Sequence, residues 1–263
     1  MTDHLQPSAS GRPQLQSGRA GVARCRRSVV HIGTAGHRLV DPCARANAAD
    51  WPPDVAEFGD ALGLERFAVV GVSFGGAYAL SLAVALPDRV TRVGLVCAMG
   101  PILDHPEFDD DFDHALKALL PVARQDPHAA EGLLRQFLTP LGERFRADPD
   151  AFFEEWLQGW PDDQQVLYRK YKSRWMRAIE ATHRDTEGYA DDILGGLRWP
   201  FDPAEIRVPV RAWHGTDDRA APFGLTRMVV ENAAGNVVTY EGVGHYLGPE
   251  HHAEWAAWLV ATS

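Results

Sequence analysis

The chain has 263 residues, a length typical of one compact α/β domain that carries a modest insertion. Hydrophobic residues make up 45% of it and charged residues 24%, as in an ordinary globular enzyme with a sizeable core. The formal net charge of −10 argues against nucleic acid and against an anionic membrane as partners.

The cysteine content indicates a reducing compartment. Cys25, Cys43 and Cys97 form neither a CxxC pair nor a metal-ligand spacing, so we interpret them as reduced thiols of a cytoplasmic protein. The first residues lack the apolar region of a secretory signal. The sequence contains no run of about 18 apolar residues, so no membrane span is predicted.

The first 49 residues have a different character from the rest of the chain. Seven arginines, scattered glycines and polar residues dominate them, and only residues 28–32 have the pattern of a strand. The Arg-rich stretch 12–38 faintly resembles a transit peptide, but a disordered leader is the interpretation we favour. We therefore predict that residues 1–49 form an atypical segment, disordered or degenerate, ahead of the folded domain.

After this segment the hydrophobic pattern becomes regular. Residues 54–62 space their apolar side chains by three and four, as an amphipathic helix does. Residues 66–72 are a short apolar run, typical of a strand buried on both faces of a parallel sheet, and residues 91–98 have the pattern of the next strand. Between them, residues 77–86 have a helical pattern that Pro87 ends. This order of strand, helix and strand predicts a βαβ unit.

The next hundred residues contain helical patterns and no strand-like run. Pro121, Pro140 and Pro161 are expected to break the helices, which we predict at residues 114–120, 129–137, 149–160 and 164–180. The absence of strands predicts a helical cap over residues 100–200.

Strand character returns at residues 208–213 and 236–241, and a closing helix is predicted at residues 252–260. We therefore assign residues 50–99 and 201–263 to one α/β core.

Residues 71–75 read Gly-Val-Ser-Phe-Gly and match the motif G-x-S-x-G. A serine on a sharp strand-to-helix turn needs small neighbours, because helix and strand crowd together there. The turn exposes the hydroxyl close to the helix N-terminus, where amide N–H groups can stabilise developing negative charge. The motif follows a predicted strand and precedes a predicted helix, so Ser73 is a candidate nucleophile rather than part of an ordinary Gly-rich turn.

A serine nucleophile needs a base and an acid that orients the base. His245 follows the last predicted strand, on a loop at the carboxyl edge of the sheet, where catalytic groups of open α/β sheets gather. Asp217 and Asp218 follow the preceding strand, and either could orient the histidine by position. The order serine, aspartate, histidine along the chain is the order found in α/β-hydrolases.

Residues 50–260 resemble the α/β-hydrolase fold family, in its capped esterase-like branch. The matching segments are G-V-S-F-G-G-A-Y-A-L, L-P-D-R-V-T-R-V-G-L-V, H-G-T-D-D-R-A-A-P and G-V-G-H-Y-L. The resemblance implies an α/β-hydrolase fold, with a mostly parallel sheet flanked by helices and a helical cap insertion. It carries the catalytic roles to Ser73, Asp218 and His245. A serine nucleophile disfavours the aspartate-dependent chemistry of haloalkane dehalogenases and epoxide hydrolases.

The N-terminal part departs from the family pattern. The resemblance implies two oxyanion donors, the Phe74 N–H and an N–H from a loop that follows an early strand. Residues 33–36 could form that loop, which makes the Thr34 N–H the second donor. Thr34 lies only 39 residues before Ser73, and the earlier strands of the family have no clear counterpart, so the N-terminal strands are expected to be incomplete.

The predicted cap is rich in aromatic residues. Aromatic side chains at helical spacing are more often core than ligand contacts. If the helices form a cap, however, one face must cover the pocket above Ser73, so Trp160 and Trp175 are candidate substrate-binding residues for an apolar acyl or alcohol group. An acidic stretch with two histidines at residues 105–114 fits no ligand spacing, so no metal site is predicted there.

These observations predict a serine hydrolase that cleaves an ester or a related acyl bond of a small molecule through an acyl-enzyme, without a cofactor. Alternative substrates are a peptide, a lactone, and a dione that is cleaved at a carbon–carbon bond. A ligand-binding protein or pseudoenzyme without a complete oxyanion loop is the alternative outside the enzyme class, and a damaged chain that does not fold stably is a third. The sequence does not determine the oligomeric state.

Overall fold

In a computed structural model, the fold is described for residues 47–112, 116–183, 186–197 and 199–261. Thr34, the strand expected at residues 28–32 and almost all of the segment 1–49 lie outside the described residues.

The core of the described fold is a four-stranded parallel sheet. Its strands are β1 (Phe67–Val72), β2 (Val90–Val96), β3 (Val210–Gly215) and β4 (Asn236–Tyr240), and they are hydrogen-bonded in the order β1-β2-β3-β4. The four strands predicted after residue 49 are confirmed within two residues. Because the strands are parallel, their carboxyl ends and the loops that follow them lie along one edge of the sheet.

Four helices pack against or beside the sheet: α1 (Pro52–Ala61), α2 (Gly75–Ala85), α9 (Phe223–Asn232) and α10 (His252–Leu259). The sequence analysis did not predict α9. Aliphatic side chains from strands and helices are fully buried together, among them Leu80, Val93, Ala212 and Val230. The strands are near-continuous apolar runs, and β2 and β3 are mostly buried, as expected of a parallel α/β sheet. The burial on both faces expected for residues 66–72 was wrong, because Val70 and Val72, on one face of β1, are 48% and 56% exposed.

Six α-helices of the described ranges lie between β2 and β3, in a region called here the helical insertion (residues 101–197). They are α3 (Leu120–Gln125), α4 (Pro127–Ala147), α5 (Pro149–Leu157), α6 (Asp162–Lys170), α7 (Lys172–His183) and α8 (Thr186–Leu197). The insertion has a hydrophobic cluster of its own, formed by α4 to α7 around Phe153 and Tyr168. Of the helices in the described ranges, none is both long enough and apolar enough to cross a membrane.

Local capping explains where two of these helices begin. The Asp126 side chain accepts hydrogen bonds from the N–H groups of His128 and Ala129, and Asp148 accepts one from Ala151 at 3.0 Å. A proline follows each aspartate at the first helical position, where its missing N–H is tolerated.

Two expectations about breaks in these helices were wrong. Pro140 lies inside α4 and does not break it, because the flanking turns bury Leu134, Leu138 and Phe145 and hold the helix together. The single helix expected at residues 164–180 is two helices that meet at Tyr171. The break lets both helices present aromatic side chains to one residue, since Tyr168 and Trp175 both pack on Tyr246.

The helical insertion contains one histidine that makes acid stability testable. His183 is 8% exposed, and burial lowers its pKa to about 4. The unfolded chain protonates this side chain near pH 6.5, so the unfolded state binds more protons between about pH 4 and 6.5. The free energy of unfolding therefore rises with pH across this window, and the contribution of the neutral His183 is fully present above it.

Between pH 6.5 and pH 4, the free energy of unfolding of the parent should fall by about 3 kcal/mol because of His183. We expect His183→Leu to lack this decrease. The measurement is chemical denaturation at a series of pH values. His128→Leu is the matched control, because His128 is exposed on α4. An acid dependence that is the same in both variants would contradict the prediction.

Candidate active site

Ser73 occupies the sharp turn between β1 and α2. Its φ angle is 53°, in the left-handed region that side chains other than glycine seldom adopt. Hydrogen bonds fix the turn on both sides: the Ser73 N–H donates to Val96 O at 3.1 Å, and Ser73 O accepts from the N–H groups of Gly76 and Met99 at 3.0 Å. The strained serine is therefore held at the carboxyl edge of the sheet, with its side chain half-buried.

The glycines of the motif are not equivalent. A Cβ at Gly71 would lie 2.3 Å from Gly75 O, and a Cβ at Gly76 would lie 2.7 Å from the Ala98 Cβ. A Cβ at Gly75 would meet no atom within 4 Å. Close approach of strand and helix thus requires glycine at positions 71 and 76, and the second glycine of G-x-S-x-G has no such steric reason.

This difference predicts opposite effects for two similar substitutions. Gly71→Ala should lower the free energy of unfolding by about 3 kcal/mol or more, because a methyl group pressed against backbone cannot be relieved by side-chain movement. It should also displace Ser73 and abolish reaction with an acylating probe. Gly75→Ala, the matched control, should leave the melting temperature and the reaction close to those of the parent. Equal behaviour of the two variants would refute the crowding argument.

His245 and Asp218 come together from two neighbouring loops at this edge. His245 follows β4 and Asp218 follows β3. The His245 Nδ1 lies 2.9 Å from Asp218 Oδ2 and 3.1 Å from Oδ1. Asp217 instead is exposed and accepts a hydrogen bond from the Thr216 hydroxyl at 3.2 Å. The structure therefore pairs Asp218, and not its neighbour, with His245.

The electrostatics of the pair favour an ionised aspartate. Burial alone would raise the pKa of Asp218, but the charge of His245 and hydrogen bonds from His214 and His245 hold it well below its usual range. Burial alone would lower the pKa of His245, and the charge and hydrogen bond of Asp218 outweigh burial and raise it. The aspartate thus stabilises the protonated imidazole, as expected for an acid that orients a base.

Two residues that hold Asp218 were not recognised from the sequence. His214, which is fully buried at the end of β3, lies with its Nε2 3.1 Å from Asp218 Oδ2 and 2.9 Å from Ala221 O. The Cys97 thiol, buried at the end of β2, lies within 4.8 Å of the Asp218 carboxylate. Backbone N–H groups of Ala220 and Ala221 complete the set at 3.0 and 2.9 Å. The one signal in the sequence is the position of His214, directly before the turn that carries Asp218.

Cys97, His214 and Asp218 are also the one group in the described ranges with metal-ligand chemistry, since one ligand atom of each lies within 4.8 Å of the others. The His214 and Asp218 atoms already bind each other, and the Asp218 carboxylate also binds His245. A metal ion there would have to displace the carboxylate from His245. The cluster is therefore better explained as support for Asp218.

Of the two candidate oxyanion donors, Phe74 lies within the described residues and Thr34 does not. Phe74 is the residue before α2, and its N–H takes part in no hydrogen bond among the described residues. It is therefore free to donate to a substrate oxygen at the helix N-terminus. Thr34 lies outside the described residues, and its role stays a prediction.

The two candidate tryptophans lie at different depths behind the histidine. The Trp160 ring stacks over the His245 ring, with centroids 6.0 Å apart and planes 16° apart. Trp175 lies further back, 4.6 Å from the Tyr168 ring and 4.9 Å from the Tyr246 ring. Trp160 therefore borders the site directly, whereas Trp175 belongs to the aromatic cluster that supports the loop of His245.

The acidic stretch after β2 contains local ion pairs. Asp109 binds Arg124 through both carboxylate oxygens at 2.7 Å, and His105 pairs with Glu107 at 2.9 Å. Asp113 and His114 lie outside the described residues.

Ser73 and His245 are not hydrogen-bonded to each other in the part of the chain that the structure describes. Nucleophile and base are often further apart in the absence of a substrate and tighten when one binds. The structure thus brings Asp218 and His245 into contact and places Ser73 on the same edge of the sheet.

Two curated enzymes share part of this sequence. The 2-hydroxy-6-oxo-2,4-heptadienoate hydrolase of Pseudomonas putida is 28% identical over 178 residues, which are 66% of this chain and 54% of that enzyme. The 2-hydroxy-6-oxo-6-phenylhexa-2,4-dienoate hydrolase of Comamonas testosteroni is 30% identical over 172 residues, 62% of this chain and 50% of that enzyme. The chain spans about half the length of the curated relatives it matches.

The fold is shared with solved structures. A hydrolase from Pseudomonas aeruginosa PA01 superimposes with a TM-score of 0.62 at 16% identity, over 89% of this chain and 80% of that one. Residues 13–258 match the model of the alpha/beta hydrolase family. The resemblance inferred from the motifs is thereby confirmed, and the chain belongs to the alpha/beta hydrolase family.

Proposed function

We propose that the protein is a serine hydrolase that cleaves an ester or a related acyl bond of a small molecule. The observation that carries the proposal is the contact between the Asp218 carboxylate and the His245 imidazole at 2.9 Å, on the sheet edge where Ser73 is held in a strained turn. Buried aspartates that bind the Nδ1 of a histidine leave its Nε2 free to take a proton, which is the task of a general base.

In the proposed reaction the Ser73 hydroxyl attacks the carbonyl carbon of the substrate, and His245 Nε2 takes the hydroxyl proton. The negative charge that develops on the carbonyl oxygen is stabilised by the Phe74 N–H, with the Thr34 N–H as the proposed second donor. The protonated imidazole then gives its proton to the leaving group, which leaves an acyl-enzyme. His245 next takes a proton from water, the resulting hydroxide attacks the acyl carbon, and Ser73 is released with its proton restored.

The surroundings of His245 favour an apolar substrate. The Trp160 ring lies nearly parallel to the imidazole, with centroids 6.0 Å apart, and the side chains behind it are aromatic. An apolar acyl or alcohol group packed against Trp160 would exclude water from the reacting carbonyl. Trp175 is proposed to act indirectly, through the aromatic cluster. We also propose a cytoplasmic location, which would keep the buried Cys97 reduced.

A second substrate class is favoured by the names of the two curated relatives, both hydrolases of 2-hydroxy-6-oxo-dienoates. Such compounds carry a ketone and no ester, so their hydrolysis must break a carbon–carbon bond next to the carbonyl. The same residues could serve, with Ser73 taking the acyl group and His245 delivering a proton to the carbon that leaves.

The test is turnover of two substrate sets by the purified chain. The first set consists of p-nitrophenyl acetate, butyrate and octanoate, and the second of 2-hydroxy-6-oxo-6-phenylhexa-2,4-dienoate. Hydrolysis of the esters above the background of Ser73→Ala supports the proposal, and faster hydrolysis of the dienoate favours the second class. A cooperatively folding protein that turns over neither would overturn the proposal in favour of a ligand-binding pseudoenzyme.

A further inference from the structure

The helical insertion contributes one buried polar side chain to the loop of His245. We propose that this residue, Gln164, is a positioning residue for the proposed base. The inference rests on the proposed function, since His245 is the base there. Gln164 lies in the first turn of α6 and is 1% exposed. A glutamine buried to this degree is expected to spend its amide on specific hydrogen bonds.

Gln164 contacts the residues on both sides of His245. Its Oε1 accepts a hydrogen bond from the Tyr246 N–H at 2.7 Å. On the other side, a Cβ at Gly244 would lie 2.9 Å from Gln164 Cδ and 3.0 Å from Cγ. The backbone of Gly244 thus lies against the glutamine side chain, and a larger residue at position 244 would require Gln164 to move. The histidine between these two contacts has little freedom to move.

The start of the same loop is fixed to the sheet. Val243 O accepts a hydrogen bond from the Asp217 N–H at 3.0 Å, and a Cβ at Gly215 would lie only 2.0 Å from that oxygen. His245 therefore lies between an attachment to the end of β3 and an attachment to the helical insertion. Asp218 lies on the side of β3. Gln164, on the side of the helical insertion, therefore determines the position of the loop relative to the Asp218 carboxylate.

Loss of the glutamine acceptor would leave the Tyr246 N–H without a partner. A buried donor without a partner is unfavourable, so the loop is expected to shift until the group finds one. Asp218 is the charged group that faces His245, and burial raises the pKa of both Tyr168 and Tyr246 on the side of the insertion, so those two stay neutral. A shifted loop would therefore weaken the one contact that raises the pKa of His245.

The experiment replaces Gln164 with methionine, which has a similar length and volume but no amide oxygen. The first readout is the pKa of His245, from NMR titration of histidine-labelled protein, and it needs no activity. We expect the pKa in Gln164→Met to fall toward the value in Asp218→Asn. The second readout is the rate constant of Ser73 labelling by a fluorophosphonate, which should fall at least ~10-fold, since misplacement by ~1 Å can lower rates ~100-fold.

Two further variants separate positioning from packing. Gln164→Glu keeps an acceptor oxygen within reach of Tyr246 and should label faster than Gln164→Met. Gln158→Met is the matched control, because Gln158 is exposed just after α5 in the same insertion, and it should behave as the parent. If Gln164→Met does not fold, Gln164→Asn, which is one methylene too short, takes its place with the same expectations.

An unchanged pKa of His245 and an unchanged labelling rate in the folded variant would overturn the inference, even if the melting temperature fell. A parent protein that the fluorophosphonate does not label would instead contradict the proposed function, while the NMR titration would still decide the role of Gln164.

Discussion

Ser73→Ala is expected to lower ester turnover by about 10⁴-fold or more, to the level of the uncatalysed background plus binding. The reason is chemical, because no other hydroxyl can replace the nucleophile at the strained turn between β1 and α2. Turnover is measured at a pH above the pKa of His245, where the base is neutral. A loss of less than 10-fold would show that Ser73 is not the nucleophile.

The strain at Ser73 supplies a control for this substitution. The backbone at position 73 is left-handed, with φ of 53°. This conformation is unfavourable for alanine, whereas glycine adopts it freely. Ser73→Gly should therefore have a free energy of unfolding about 1 kcal/mol higher than that of Ser73→Ala, although both lack activity. This order of stability would show that the turn is strained for the placement of the hydroxyl. The reverse order would mean that the strain is absent.

Asp218→Asn is expected to lower the turnover number by about 10⁴-fold. The buried carboxylate accepts hydrogen bonds from the side chains of His245 and His214 and from two backbone N–H groups. An amide at this position must direct its own N–H₂ group at one of these donors, so the imidazole loses its orientation and the charge that stabilises its protonated form. Asp217→Asn is the matched control, because Asp217 is exposed and does not contact His245.

The same substitution predicts a change in acid stability. The pKa of Asp218 is lower in the folded protein than in the unfolded chain, so the ionised carboxylate stabilises the fold above its unfolded pKa. This contribution is lost as the pH falls below the unfolded pKa toward the folded one. Asp218→Asn should therefore unfold with a weaker dependence on pH than the parent in strong acid, and Asp217→Asn should follow the parent. Identical acid profiles for Asp218→Asn and the parent would contradict the assigned pKa shift.

Local patterns explain why the sheet could be predicted from the sequence. The four strands are apolar runs bounded by turn residues, and such runs are recognisable without knowledge of the fold. Burial could not be predicted in the same way, since Val70 and Val72 of β1 are 48% and 56% exposed. No prediction was made for helix α9 (Phe223–Asn232), although its buried residues Leu225, Val229 and Val230 have helical spacing. Pro140 was expected to break α4 because its lost hydrogen bond is visible in the sequence, while the packing that outweighs the loss is not.

The candidate site divides in the same way. Ser73, Asp218 and His245 could be proposed because each follows a strand, and parallel strands bring such loops to one edge. Gln164 gave no signal, since its contact with Tyr246 joins residues 82 positions apart. The support of Asp218 by Cys97 likewise depends on how neighbouring strands meet, which no local pattern records.

Labelling of the intact protein by a fluorophosphonate shows whether Ser73 is an activated nucleophile. The parent chain is treated with one probe near neutral pH, its mass is measured, and the modified residue is located by peptide mapping. We expect one probe per chain, attached to Ser73, and none in Ser73→Ala. A folded parent protein that remains unlabelled, or a label on another residue, would contradict it.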